Sequence, residues 1–173
     1  MTAGDFATTF GVPAEVGAVV HEFRSCELST LARDGTPVTW PTMPFFLAGE
    51  RRFLITSSVG LAQKALNIRR DHRVAMLFSN ATGSGLVSPP QVLIQGDAEA
   101  PEELGTMDER SEALTRLAFE RQPVGITLIG AIPGPLRHLV DWYCWRVFIY
   151  VRPRRIRWWR ETDRGRVGGE VVL

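Results

Sequence analysis

Two cysteines and three histidines are all that 173 residues offer of the side chains that most often carry thiol, metal-bound or imidazole chemistry. Cys26 and Cys144 lie far apart with no paired spacing, which excludes both a cysteine-framed metal site and the disulfide framework of a small secreted protein. A reducing cytoplasm is the expected home. His21, His72 and His138 are scattered, no Ser-His-Asp set can be assembled around them, and no carboxylate pair stands out as acid and base. His72, in RRDHRV, reads as a turn residue. Net charge is also missing: 20 basic residues against 19 acidic ones leave +1, so no long-range field gathers nucleic acid or anionic lipid. The most apolar stretch, Val124 to Leu136, is broken by Pro133 and Pro135 and falls short of the ~20 residues of a membrane-spanning helix. Met1 to Phe10 lacks the basic start and apolar run of a secretion signal and carries Asp5. The length suits one domain with a real core, 1–173.

Periodicity supplies what composition withholds. Within a leading helical segment, 1–26, the residues Val16, Val19, Val20 and Phe23 form one helical stripe behind Pro13. From Glu27 the period changes to two, with Leu28, Thr30 and Ala32 alternating against Ser29, Leu31 and Arg33 until the turn signal Asp34-Gly35. Pro37 to Leu47 continues as a second strand. Its Pro41 and Pro44 cannot donate to a ladder, so they belong at a sheet edge or an open surface. Arg52 to Thr56, Arg73 to Phe78 and Gln91 to Ala98 read as further strands, with a Gly/Ser/Asn/Pro loop over Ser79 to Pro90. Leu61, Ala65 and Ile68 predict a short amphipathic helix between the third strand and the fourth. A longer helix is expected after Pro101, with Leu104, Met107, Leu114, Leu117 and Ala118 on its stripe. Residues 123–141 form an atypical apolar Gly/Pro insertion without an assigned structure. Trp142 to Val151 and Arg155 to Trp159 close the chain as two strands divided by Pro153. Consecutive antiparallel strands with few inserted helices predict a mainly β protein, a closed or nearly closed barrel with peripheral helices.

The stretch TSSVGLAQK is the candidate site. Thr56, Ser57 and Ser58 are expected where a strand ends and a helix begins, beside free backbone N–H groups and the positive end of the helix dipole. Gly60 would permit close approach, and Lys64 would place an ammonium over the same point. Together these parts suit a phosphate. Ser is also a common helix cap for the helix's own sake, and a surface lysine is commonly solvated.

The ordered runs LSTLARDGTPVTWPTMPFF, RRFLITSS, KALNIRRDHRVAMLF and VLIQGDAEA resemble the FMN-binding split-barrel family typified by pyridoxamine 5′-phosphate oxidase and its deazaflavin-using relatives. The resemblance spans about Leu28 to Ala98. It implies a split β-barrel, a homodimer with flavin sites at the subunit interface, and cofactor-phosphate contacts from Thr56, Ser57, Ser58 and Lys64. It also implies that Pro41, Thr42 and Met43 lie along the isoalloxazine ring, and that Trp159, in VRPRRIRWW, matches a closing tryptophan that reaches the flavin. Asn67 is a further candidate near the cofactor, with an exposed helical position as the alternative; Arg146 and Arg155 are weaker ones. The Arg-Leu-His-Asp-Arg element that grips pyridoxine phosphate is replaced by RETDRGR, so vitamin B6 oxidation is not implied. The basic and aromatic run RPRRIRWWR is explained by core packing plus a solvated face; no nucleic-acid partner is expected.

Three functions follow from the resemblance: an FMN-dependent oxidoreductase or flavin reductase moving hydride to or from a small molecule; a deazaflavin-dependent reductase using Lys64, Arg69 and Arg70 for a longer anionic tail; or a flavin or haem carrier without turnover.

Overall fold

Strict alternation of burial sets the framework of the sheet. The structure, a computed structural model, describes residues 2–105 and 145–173. In β1 (Cys26–Leu31) the buried residues are Cys26, Leu28 and Thr30; in β5 (Arg73–Phe78) they are Val74, Met76 and Phe78; in β6 (Gln91–Glu99) they are Val92, Ile94, Gly96 and Ala98. Side chains two apart share a face, so each strand turns one apolar row to the core.

The expected second strand is two. β2 (Pro37–Thr42) pairs with β1, the chain bends at Met43, and β3 (Pro44–Leu47) pairs with β4 (Arg52–Ser58). The remaining described strands are β7 (Leu104–Gly105), β8 (Arg146–Thr162) and β9 (Gly165–Val172). All nine form one antiparallel sheet in the order β2-β1-β5-β6-β8-β4-β3, with β7 and β9 also paired to β8. The two ends of that order are neighbours in sequence, so the sheet curls until β2 and β3 meet across a seam. This is a mainly β split barrel. Pro41 and Pro44 both lie beside that seam, on strands with one partner each, which is where a residue without an N–H is tolerated.

β8 is a single 17-residue strand, and Pro153 does not divide it. The register against β6 shifts between Gln95 and Gly96, which pair with Arg155 and Pro153, so Arg154 is an extra residue in a bulge. A β-carbon on Gly96 would lie 2.2 Å from the Arg152 carbonyl oxygen. Proline, bulge and glycine together let a central strand carry a residue that cannot donate.

Helices close the barrel. α2 (Ala14–Glu22) buries Val16, Val19 and Val20, as the stripe predicts, and Phe23 follows it into the core. A separate helix, α1 (Ala3–Phe10), precedes it, capped by reciprocal bonds between Thr2 and Asp5. Its Phe6 and Phe10 join Phe46 and Phe53, with Phe6 5.0 Å from both Phe10 and Phe46. α3 (Gln63–Arg70) buries Ala65 and Ile68, while Leu61, expected on the same stripe, is 60% exposed in a preceding 3-10 turn. Leu104 lies in β7 rather than in a helix. The rest of the helix expected after Pro101 and the 123–141 insertion fall outside the described residues, as does Cys144. Cys26 is buried, and burial pushes its thiol up to about 12. Among the described residues no helix is long and apolar enough to cross a membrane.

Candidate functional site

The three hydroxyls stand in a strand, not at a helix start. Pairing between β4 and β8 continues through Thr56–Phe148, Ser57–Val147 and Ser58–Arg146. Alternation therefore splits them: Ser57 shares the core-facing side with Phe53 and Ile55, while Thr56 and Ser58 share the other side with Leu54, Phe148 and Arg146. A 3-10 turn (Val59–Leu61) intervenes, and the residue that caps α3 is Ala62, which has no side-chain capping bond.

Lys64 nonetheless arrives at this strand end. It is 8% exposed, and its Nζ donates to Ser57 Oγ at 2.9 Å and to the Leu61 carbonyl at 3.4 Å. The Ser57 hydroxyl donates in turn to the same carbonyl at 3.0 Å. The ring of Trp40, on β2, lies 5.9 Å from the ammonium. Among the described residues no carboxylate pairs with Lys64. Burial holds its pKa below the ordinary lysine value, and the nearby charge of Arg146 pushes it the same way. A desolvated cation beside a second cation is a costly arrangement that an anion would relieve.

A further polar group waits at the same strand end. Ser58 is 2% exposed and its Oγ has no hydrogen-bond partner among the described residues. Buried hydroxyls are normally satisfied, so such an orphan, next to Arg146 in the β4–β8 ladder, fits a ligand oxygen. At the end of β4 the residues present suit the anionic group of a cofactor, with Lys64 reaching it from the Ser57 side and Arg146, Thr56 and Ser58 standing on the other side of the strand.

Of Pro41, Thr42 and Met43, the first two pair with β1 and Met43 reaches this region. Extending the Pro44–Ile55 register by one residue sets Met43 beside Thr56, and Met43 packs on Phe45 and Leu54. Thr42 Oγ1 lies 3.4 Å from Cys26 Sγ. Among the described residues β2 and β3 each have one strand partner, β1 and β4.

Other candidates are committed to the fold. Asn67 is fully buried, not exposed: its Nδ2 donates to Thr30 Oγ1 at 3.0 Å, and its Oδ1 accepts from Gln63 and Arg70, both at 2.9 Å. It ties α3 to β1. Arg69 donates to the carbonyls of Ala100 and Pro101, and Arg70 to that of Leu31. Arg155 pairs with Glu170. Trp159 is half-buried on β8 between Gln91 and Gly168. It is separated from Arg146 by 13 residues of one strand, roughly 43 Å at ~3.3 Å per residue. One chain does not bring it to Lys64. Trp40 is the residue sequence reasoning passed over, although its place directly before Pro41, on a strand of period two, put it within reach.

The described residues thus form a split barrel in which Lys64 has no carboxylate partner among them. The sequence pattern described as pyridoxamine 5′-phosphate oxidase matches residues 12–128, and the chain belongs to that family. A conserved hypothetical protein from Mycobacterium tuberculosis is similar, with 28% identity, a TM-score of 0.55, and coverage of 85% of this chain and 83% of that one. A Clostridium acetobutylicum protein related to general stress protein 26 of B. subtilis, of the pyridoxinephosphate oxidase family, shares the fold at 11% identity, a TM-score of 0.56, and 91% and 92% coverage. An F420 reductase does so at 20% identity, a TM-score of 0.53, and 80% and 93% coverage. No curated protein matches the sequence.

Proposed function

We propose that the chain is an FMN-dependent oxidoreductase that acts on a small molecule. The observation that carries this reading is Lys64, 8% exposed with no carboxylate paired to it among the described residues, and held beside Arg146. Lys64 would supply charge to a cofactor phosphate seated at the end of β4, reaching it from the Ser57 side, with Arg146 and the hydroxyls of Thr56 and Ser58 on the other side of the strand end. Backbone groups of Pro41, Thr42 and Met43 would lie along the ring edge. The flavin itself supplies hydride transfer when bound, which accounts for a site without a catalytic side-chain cluster. The protein's part is to bind, orient and exclude water.

Deazaflavin is the competing cofactor, because the F420 reductase has this fold. A longer anionic tail calls for further cations. Arg69 and Arg70 already donate to the carbonyls of Ala100, Pro101 and Leu31, which favours the shorter FMN. Titration of the purified chain with FMN, followed by flavin fluorescence, should saturate; F420 in the same assay should bind more weakly. No saturable change with either ends this reading. An oxidoreductase, unlike a flavin or haem carrier, should reoxidise its reduced bound cofactor faster in the presence of a suitable acceptor than free cofactor does. We propose the cytoplasm as the protein's location, where reduced cofactor is available.

A further inference from the structure

β9 is an eight-residue edge strand whose only charged residues are Arg166 and Glu170, of opposite sign. Its sequence, GRVGGEVV, holds no proline and no lysine, and its one strand neighbour among the described residues is β8. Arg166, Gly168, Glu170 and Val172 are exposed, and Val167 is 63% exposed.

The direction of its free backbone groups follows from the ladder. Leu173 N donates to the Arg154 carbonyl at 2.8 Å, so this pair is a hydrogen-bonded one. Antiparallel pairs alternate. Val171, Gly169, Val167 and Gly165 therefore bond to β8, and Arg166, Gly168, Glu170 and Val172 point their N–H and C=O groups away from it.

Those outward groups are self-complementary about Gly168. An antiparallel copy of β9 with a two-fold axis at Gly168 sets Arg166 opposite Glu170 of the second copy, and the reverse, with every outward residue facing an outward residue. On β8 the register already places Arg157 beside Glu170 and Glu161 beside Arg166, each joined by an ion pair. Across the four strands the row then reads Arg157, Glu170, Arg166 and Glu161, alternating in sign at each step, where opposite charges facing each other stabilise a sheet. The central row is Trp159, Gly168, Gly168 and Trp159. Gly168 puts no side chain in the way, and it is fixed as glycine because a β-carbon there would lie 2.0 Å from the Trp158 carbonyl oxygen.

We propose that β9 is a docking edge for a second copy of this chain, paired antiparallel about Gly168. A single strand-to-strand contact is smaller than a permanent interface, so the association is reversible and concentration-dependent. This stands apart from the cofactor reading, since β9 contributes nothing to the Lys64 corner.

Sedimentation equilibrium over a range of concentrations tests it. The mass-average of the wild-type chain should rise with concentration and exceed that of Arg166→Pro, whose lost N–H points away from β8. Register is tested separately by mixing single variants Arg166→Cys and Glu170→Cys under mild oxidation. Facing residues of an antiparallel pair lie about 5.5 Å apart at Cα, within disulfide reach. The mixture should give a covalent dimer, and neither variant alone should exceed the oxidised wild type. Equal masses for wild type and a folded Arg166→Pro overturn the docking edge. So does a mixture with no covalent dimer, which also serves where Arg166→Pro fails to fold. A wild type that stays at its lowest mass throughout, or that shifts mass only when a foreign peptide strand is added, overturns it equally.

Discussion

Replacing Lys64 by methionine separates a ligand-binding lysine from a structural one. In the protein without ligand the ammonium has two hydrogen bonds, to Ser57 Oγ and the Leu61 carbonyl, and no carboxylate among the described residues. Removing it forfeits those bonds, worth about 0.5–1.5 kcal/mol each net, and also removes the cost of holding a charge out of water beside Arg146. Ser57 keeps its bond to Leu61, so no buried donor is orphaned. The two contributions oppose each other, and the stability of the ligand-free protein should move by less than about 1 kcal/mol in either direction. FMN affinity should behave differently. A charge-assisted bond to phosphate is worth about 1.5–3 kcal/mol, which is roughly a ten- to hundred-and-fifty-fold weaker Kd. Urea unfolding without ligand and fluorescence titration with FMN, on the same preparations, measure both. A variant that loses more than about 2 kcal/mol of stability while keeping wild-type affinity would show that Lys64 serves the fold and that the anion site lies elsewhere.

FMN affinity should also fall on the alkaline side. Lys64's pKa is lowered in the folded protein, so the ammonium that the phosphate needs is lost below the ordinary lysine range, and Lys64→Met should flatten that limb of a Kd-against-pH curve. In the same window the unfolded chain binds more protons at Lys64 than the folded one, so its contribution to stability rises with pH. Asn67→Ala should cost about 1–3 kcal/mol in urea unfolding, because it strips Thr30 of a buried partner, and should leave FMN affinity within roughly threefold of wild type. Gly96→Ala should lower the Tm through a backbone clash with Arg152 on the order of 1–3 kcal/mol, with unchanged affinity for FMN.

What the sequence made legible was local. The alternation of Cys26 to Leu31, the Asp34-Gly35 turn and the edge placement of Pro41 and Pro44 all rest on neighbours within a few residues. Errors arose where distant segments decide. Pro153 reads as a strand end until Gly96, 57 positions earlier, is seen to sit across the bulge from it. Ser57 and Ser58 read as a helix cap because TSSVG is a common cap-like string; the ladder to Val147 and Arg146 draws them into β4 instead. β9 was not anticipated; its Gly169 is needed to clear the Trp158 ring, 2.5 Å from where a β-carbon would be. Asn67 illustrates the same limit for side chains. Its position on α3 was legible, and its bond to Thr30 was not. Lys64 was singled out correctly as the cation at the end of β4, but its partners there are Ser57 and the Leu61 carbonyl rather than free helix amides.

β8 has a consequence for how the chain is made. Without it the described sheet would fall apart into β2-β1-β5-β6 on one side and β4-β3 on the other, with β7 and β9 left unpaired, since β8 alone pairs with both β6 and β4. As the ribosome releases the polypeptide from its N-terminus, the strand carrying Thr56 and Ser58 lacks its second neighbour until residues beyond 146 have emerged. Contacts of such long sequence separation form slowly. The end of β4 beside Lys64 is thus among the last parts of the molecule to take shape, and a nascent chain stalled before β8 would hold its hairpins without the ladder that fixes Ser57 and Ser58.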